Sequence, residues 1–105
     1  MLLLAETDNG RTVDLHPGDR VRVSLAENAT NGYRWELESC DEAFIKPLAL
    51  EPLYTAEALG SGGAVAFIFE AKQVGLGQII LKQWRSWEGE ASVASRFCIR
   101  LNIQL

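Results

Sequence analysis

Apolar and polar residues alternate one by one along several short stretches of this chain, and no stretch shows a sustained helical period. The alternation is clearest over residues 20–25, where every second residue is Val or Leu, and over residues 97–105. Because successive side chains of a β-strand point to opposite faces, each stretch predicts a strand with one buried and one solvated face. The chain is therefore expected to fold as an all-β protein.

Strands of this kind, which we letter A to G, number about seven and recur roughly every ten residues, with turn-forming residues between them. They centre on Thr12, Val23, Trp35, Leu53, Phe67, Leu81 and Leu101. Strand D carries Pro47 and Pro52, which confine it to a sheet edge or to irregular extended chain, because proline cannot donate to a ladder. The pattern is typical of an antiparallel β-sandwich or a small barrel, and we choose the sandwich.

The composition limits both the size and the partners of the protein. A chain of 105 residues allows one domain, spanning 1–105, and 10 basic residues against 14 acidic ones give a formal charge of −4. The basic residues are scattered, which argues against nucleic-acid binding. The apolar run at residues 1–5 is too short for a membrane span and lacks the basic leader of a signal peptide. The compartment stays open: the cytoplasm, or the periplasm or exterior if a leader has been removed.

Groups that could catalyse a reaction or bind a metal are few. His16 is the single histidine, and it precedes a Pro-Gly-Asp turn, where a solvated loop histidine is expected. Cys40 and Cys98 lie in neither a C-x-x-C motif nor a Cys/His cluster, so we expect no metal site, no cofactor and no enzymatic activity. Both cysteines are predicted to be free thiols, because strand F should separate strands C and G and hold them beyond the roughly 7 Å limit for a disulfide.

Successive connections of an antiparallel sandwich lie at opposite ends, so the B–C, D–E and F–G loops should share one end. These loops have the unusual sequences of the chain. They comprise a polar tip at Asn28, Ala29, Thr30, Asn31, Gly32 and Tyr33, a glycine-rich segment at Leu59, Gly60, Ser61, Gly62 and Gly63, and the triplet Arg85, Ser86 and Trp87. Each loop alone is typical of a structural turn. Three such loops at one end, one with a tryptophan beside an arginine, are typical of a binding module.

The same three loops carry a family resemblance. Residues 28–33 with Trp35 resemble an N-P-T-T-G-Y/F-x-W motif, residues 60–63 a G-x-G-G motif and residues 85–87 an R-P-W motif, in the order found in chagasin-type inhibitors of cysteine peptidases. The resemblance covers nearly the whole chain. It implies an immunoglobulin-like sandwich that acts, as a monomer, as a reversible and tight-binding inhibitor of papain-like cysteine peptidases.

By that resemblance the three loops lie across the active-site cleft of the peptidase. Thr30 would sit beside the catalytic cysteine and histidine of the enzyme, and residues 60–63 would lie along the non-primed side. Trp87 would pack on the aromatic wall of the primed side, with Arg85 shaping its loop. A narrow polar turn held by two strands can fill a cleft without offering a carbonyl for attack, while the flanking loops add contact area and an aromatic anchor.

The sequence departs from the family motifs at three positions: Ala29 and Ser86 replace prolines, and Asn31 replaces a threonine. Each missing proline leaves its loop less preorganised, at a cost of roughly 0.4–1 kcal/mol. Asparagine tolerates positive φ, so the turn itself is expected to persist. Two alternatives stay open: an immunoglobulin-like adhesion or carbohydrate-binding module that leaves peptidases untouched, and an enzyme. An inhibition assay against papain separates the three readings.

Two further predictions concern the tryptophans and the independence of the loops. Strand parity places Trp35 with Leu37 on the buried face of strand C, whereas Trp87 lies in a polar loop and should be exposed. Trp35→Ala should therefore destabilise the fold by roughly 3–5 kcal/mol, and Trp87→Ala by little. The three loops should also contribute additively to binding, as residues farther apart than about 7–10 Å do.

Overall fold

The computed structural model describes residues 1–27, 31–52 and 63–105. Within these ranges the chain forms eight β-strands and three short 3-10 turns. The strands are β1 Leu2–Leu4, β2 Thr12–Leu15, β3 Arg20–Glu27, β4 Arg34–Cys40, β5 Ile45–Pro52, β6 Gly63–Ala71, β7 Gly75–Trp84 and β8 Ser95–Ile103. The 3-10 turns span Glu6–Asp8, Ser86–Glu88 and Glu90–Ser92. None of the described residues belongs to a helix long and apolar enough to cross a membrane.

The strands form two four-stranded sheets that enclose one apolar core. One sheet has the order β1-β3-β6-β5, and the other has the order β2-β8-β7-β4. The predicted strands A to G are β2 to β8 in order, although Leu53, the predicted centre of strand D, lies outside the described residues. The predicted all-β, immunoglobulin-like sandwich is confirmed. Two pairs depart from antiparallel pairing, since β1 runs parallel to β3 and β2 runs parallel to β8. The chain changes sheet after β1 and again after β2, so no hairpin sets the direction of these pairs.

Strand β1 is an element that the sequence pattern does not predict. It is three residues long, which is too short for an alternation to show. Leu4 nevertheless enters the core, where 3% of its surface is exposed. The turn Glu6–Asp8 then leads the chain toward the other sheet. The short apolar run at the start of the sequence is thus a sheet edge.

Strand β7 begins earlier than the sequence pattern predicts. It starts at Gly75, whereas residues 74–77 are expected from the sequence to form a turn before a strand at Gln78. The side chains of Phe44 and Ile45 approach Gly75 and Gly77 so closely that any larger residue there would overlap with them. The glycines therefore serve close packing inside a strand rather than a turn.

The core lies between the sheets and consists of the alternating apolar residues. Trp35 is 7% exposed and belongs to this cluster, as predicted. Burial of such apolar surface is the dominant favourable term in folding. The largest fully buried side chains are those of Phe69, Phe97, Leu25, Ile45, Ile79, Leu81, Ile99, Leu101, Ile103, Val21 and Val23.

Three smaller sequence predictions concern the edge strand, the cysteines and the histidine. Strand β5 lies at a sheet edge, as its prolines predict. Cys40 and Cys98 are both free, on β4 and β8 with β7 between them. His16 lies in the turn before β3, where the backbone N–H of Asp19 donates to the His16 carbonyl at 2.9 Å. Among residues 1–27, 31–52 and 63–105, no group of three or more His, Cys, Asp or Glu side chains is placed to hold a metal ion.

Candidate functional site

The three unusual connections leave the sandwich at one end. In the first sheet β3 ends at Glu27, which pairs with Gly63, the first residue of β6. In the second sheet β4 begins at Arg34, which pairs with Trp84, the last residue of β7. A hydrogen bond of 2.8 Å from the Trp35 backbone N–H to Glu27 Oε2 joins the two sheets at this end. Pro52, at the end of β5, pairs with Val65 near the same edge, so the strand ends that flank all three connections lie at one end of the sandwich, as strand parity predicts.

Half of the predicted site residues can be placed directly. Asn31, Gly32, Tyr33, Gly63, Arg85, Ser86 and Trp87 belong to the described residues, with Gly63 opening β6 and Ser86 opening a 3-10 turn. The others lie outside the described residues: Asn28, Ala29, Thr30, Leu59, Gly60, Ser61 and Gly62.

Trp87 lies against the backbone of Gly32. Gly32 has φ +78°, and a Cβ added to it would stand 2.7 Å from Trp87 Cη2. The indole is nevertheless 70% exposed, which confirms the prediction of an exposed tryptophan. The six-membered ring of the indole lies against the neighbouring loop at Cη2 and Cζ2, and most of the residue's surface stays exposed. The separation of more than about 7–10 Å that underlies the prediction of independent loops does not hold for this pair, because Trp87 contacts Gly32.

Arg85 connects the two loops through two interactions and makes a third within its own loop. Its Nε donates to the Asn31 carbonyl at 3.0 Å, and its guanidinium lies 4.4 Å from the centre of the Tyr33 ring. Its Nη1 also pairs with Glu88 Oε1 at 3.1 Å. Hydrogen bonds from a charged donor are stronger than neutral ones, and a cation over an aromatic ring adds further attraction. Arg85 therefore fixes the F–G loop relative to residues 31–33.

Asn31 shapes the turn with its side chain. Its Oδ1 accepts a hydrogen bond of 3.0 Å from the Tyr33 backbone N–H, which is the arrangement of an Asx turn. Its carbonyl meanwhile accepts from Arg85. A threonine hydroxyl forms the equivalent turn more weakly. Asparagine in place of the family's threonine therefore keeps the turn at residues 31–33 restrained.

Glu27 holds the base of the B–C loop, and sequence reasoning did not single it out. Only 5% of the residue is exposed, and its Oε2 accepts from the Trp35 backbone N–H at 2.8 Å. Its Oε1 accepts from Arg34 Nη1 at 3.4 Å, while the Trp35 indole N–H donates to the Ala26 carbonyl at 2.9 Å. The alternating burial of β3 continues to its last residue and places this carboxylate on the buried face, although the apolar–polar alternation of the sequence stops at Leu25.

The arrangement is suited to binding rather than to a chemical reaction. His16 lies in the β2–β3 connection, whereas the β3–β4 and β7–β8 connections form the site. The described residues of the site offer an exposed aromatic ring on a frame fixed by hydrogen bonds and ion pairs. A rigid aromatic side chain of this kind is typical of the centre of a protein interface.

Comparison with known proteins shows that the chain is similar to peptidase inhibitors. The family model of the chagasin family peptidase inhibitor I42 matches residues 14–101. Amoebiasin-1 of Entamoeba histolytica is 27% identical over 101 residues, covering 96% of this chain and 98% of its own. Chagasin of Trypanosoma cruzi is 27% identical over 107 residues, covering 93% and 94%. The crystal structure of EhICP2, a cysteine protease inhibitor from Entamoeba histolytica, shares the fold with a TM-score of 0.83 at 17% identity, over 98% of this chain and 95% of its own.

Proposed function

The chain belongs to the chagasin family of peptidase inhibitors, and we propose that it inhibits papain-family cysteine peptidases by laying its B–C, D–E and F–G loops across the active-site cleft. The protein is an inhibitor and not an enzyme. Its partner is a papain-like cysteine peptidase, and the inhibition is reversible because no covalent step is involved. The motifs in the three loops and the cysteine protease inhibitor EhICP2, which has the same fold, support this target class.

The observation that carries the proposal is the position of Trp87. The ring is 70% exposed, yet it rests on Gly32, and the neighbouring Arg85 is hydrogen-bonded to Asn31 at 3.0 Å. An aromatic side chain that is already held in place loses little conformational entropy on binding. Trp87 is therefore the anchor that we assign to the primed side of the cleft.

The turn at residues 31–33 explains how the inhibitor can avoid being cleaved. The Asx turn at Asn31 and the positive φ of Gly32 bend the chain sharply just after the tip of the B–C loop. A substrate must present its scissile carbonyl in an attack geometry to the nucleophile, and a sharply bent backbone does not supply that geometry. In the proposed complex Thr30 blocks the catalytic cysteine and histidine, and Gly60 to Gly63 cover the non-primed side.

The F–G loop has other restraints in place of the family proline. Ser86 opens a 3-10 turn, and Arg85 is bonded on one side to Asn31 and on the other to Glu88. Each such bond limits the conformations that the free loop can adopt, as a proline does. We expect tight binding to survive the replacement at Ser86 for this reason.

Inhibition constants for papain test the proposal. Trp87→Ala should weaken inhibition by about 2 kcal/mol, or about 30-fold, because truncating an aromatic hot spot removes its buried contact. Leu76→Ala is the matched control, since Leu76 is 57% exposed and lies at the opposite end of β7. Both variants should melt close to the parent temperature. Thr30→Ala should lose less affinity for papain than Trp87→Ala. A bulky residue in place of Thr30 should lose more, because it would prevent the loop from entering the cleft.

Two outcomes would count against the proposal. A parent protein that leaves papain and cathepsin L-type enzymes uninhibited at micromolar concentration would favour an adhesion or carbohydrate-binding module. A folded Trp87→Ala variant and a folded bulky Thr30 variant that both inhibit as well as the parent would show that the three-loop mechanism is wrong.

A further inference from the structure

The F–G loop consists of two successive 3-10 turns. The turns Ser86–Glu88 and Glu90–Ser92 meet at Gly89, whose φ of +77° separates them. A backbone hydrogen bond of 2.8 Å from Ala94 N–H to the Gln83 carbonyl closes the loop onto the end of β7. Trp87 projects from the first turn, so its position depends on how the second turn holds the first.

Ser92 bonds the two turns to each other. Its Oγ accepts a hydrogen bond of 3.1 Å from the Arg85 backbone N–H. The same Oγ lies 2.9 Å from the Arg85 carbonyl and 2.7 Å from the Gly89 carbonyl, and its single proton can be donated to one of these oxygens at a time. The small, partly buried side chain of Ser92 therefore contacts both Arg85, before the first turn, and Gly89, between the two turns.

The second 3-10 turn, Glu90–Ser92, is attached to the outer face of the sheet by ion pairs. Glu90 Oε2 pairs with Lys82 Nζ on β7 at 3.3 Å, and Glu90 Oε1 pairs with Arg96 on β8. Arg96 also pairs with Glu38 on β4 at 2.9 Å. Single exposed ion pairs contribute little, but a network that spans three strands gives the turn a fixed position. Ser92 transmits this position to the first turn.

We propose that Ser92 is a positioning residue for inhibition, acting through Arg85 and Trp87 and touching no part of the peptidase. The backbone of Arg85 is held from inside the loop by Ser92, while its side chain reaches outward to the Asn31 carbonyl at 3.0 Å. The two sets of bonds orient the segment that carries Trp87 against Gly32. The inference rests on the proposed function, because its effect is on the affinity for the peptidase.

Removing the Ser92 hydroxyl should lower affinity without removing a contact with the partner. The Arg85 backbone N–H then loses its acceptor, and the free loop populates conformations in which Trp87 is misplaced. The apparent affinity for the peptidase falls in proportion to the fraction of molecules whose loop keeps the binding-competent conformation. If that fraction is about one in ten, inhibition of papain by Ser92→Ala weakens about tenfold. Ser92→Thr retains the hydroxyl and should stay close to the parent.

A double-mutant cycle separates positioning from a direct or general structural effect. In the Trp87→Ala background, Ser92→Ala should cost no further affinity, because the side chain that it positions is gone. Ser24→Ala is the matched control, a partly buried serine on the outer face of β3. The proposal is overturned if Ser92→Ala inhibits like the parent. It is also overturned if Ser92→Ala lowers affinity as much in the Trp87→Ala background as in the parent.

Hydrogen exchange in the free protein tests the positioning without a peptidase. The Arg85 amide should exchange faster in Ser92→Ala than in the parent or in Ser24→Ala, while the core amides of β7 and β8 keep their rates. Unchanged exchange at Arg85 overturns the proposal even if inhibition changes. If the parent inhibits no papain-like enzyme, the proposed function fails, and the exchange rates alone then decide whether Ser92 orders the loop.

Discussion

Gly32 meets two structural demands at once. Its φ of +78° lies in the left-handed region that L side chains rarely adopt, and the ring of Trp87 occupies the space where a Cβ would stand. Either demand alone would disfavour another residue. Together they mean that alanine at this position strains the turn and displaces the indole. The absence of a side chain at Gly32 is what allows the F–G loop to lie against the B–C loop.

The burial of the Cys40 thiol can be tested through its pKa. Partial burial raises the pKa of the Cys40 thiol from 9.0 to about 11, with a smaller contribution from the nearby charges of Glu42 and Asp41. The folded state thus favours the neutral thiol. The contribution of the neutral Cys40 thiol to the stability of the folded state is fully present below pH 9.0 and is lost as the pH rises toward about 11.

We expect Cys40 to react slowly while the protein is folded. The thiolate is the reactive form, so alkylation at pH 8 in a Cys98→Ser variant should be about a hundredfold slower than in the same variant unfolded in urea. The native rate should keep rising up to about pH 11, whereas the unfolded rate levels off near the ordinary value. Equal rates in the two states at pH 8 would contradict the burial of this thiol.

Among the elements, those with a long alternating pattern could be predicted from the sequence. In the sequence β3 alternates from Arg20 to Leu25 and β8 from Arg96 to Ile103, and parity correctly places the last residue of β3 and the first residue of β8 at the same end of the sandwich. The three-residue β1 shows no period, so its parallel pairing with β3 could not be predicted. In the site, Trp87 stands out by its residue type. Ser92 does not, because its role depends on backbone groups that only the folded loop brings together.

The contact between the two loops predicts that their effects on binding are coupled. Gly32→Ala should weaken inhibition chiefly by displacing Trp87, so it should cost less in the Trp87→Ala background than in the parent. For residues in contact the expected coupling is roughly 0.5–3 kcal/mol, measured from papain inhibition constants of the four proteins. Trp87→Ala combined with Leu76→Ala should instead be additive. Additive costs for Gly32→Ala and Trp87→Ala would show that the contact has no energetic role.

Across the whole molecule, the core and the binding end are linked through Trp35. Its ring packs in the apolar cluster, while its indole N–H donates to the Ala26 carbonyl at 2.9 Å and its backbone N–H donates to Glu27 at 2.8 Å. Leu4 packs in the same cluster from β1, where it pairs with Val23. Val23 precedes Glu27 by four residues, or roughly 13 Å of strand. One buried side chain thus supports the loop end directly, and the other supports only the fold.

Comparing Leu4→Ala with Trp35→Ala should separate stability from inhibition. Both variants remove a buried side chain, so each should lower the free energy of unfolding, Leu4→Ala by roughly 2–5 kcal/mol and Trp35→Ala by roughly 3–5 kcal/mol. Leu3→Ala, the exposed neighbour on β1, should change stability little. Papain inhibition is then measured at a temperature where melting curves show every variant folded. Leu4→Ala should inhibit like the parent, whereas Trp35→Ala should inhibit less well because the base of the B–C loop loses the indole bond to the Ala26 carbonyl. Equal inhibition by both folded variants would mean that the loop end holds its shape without Trp35.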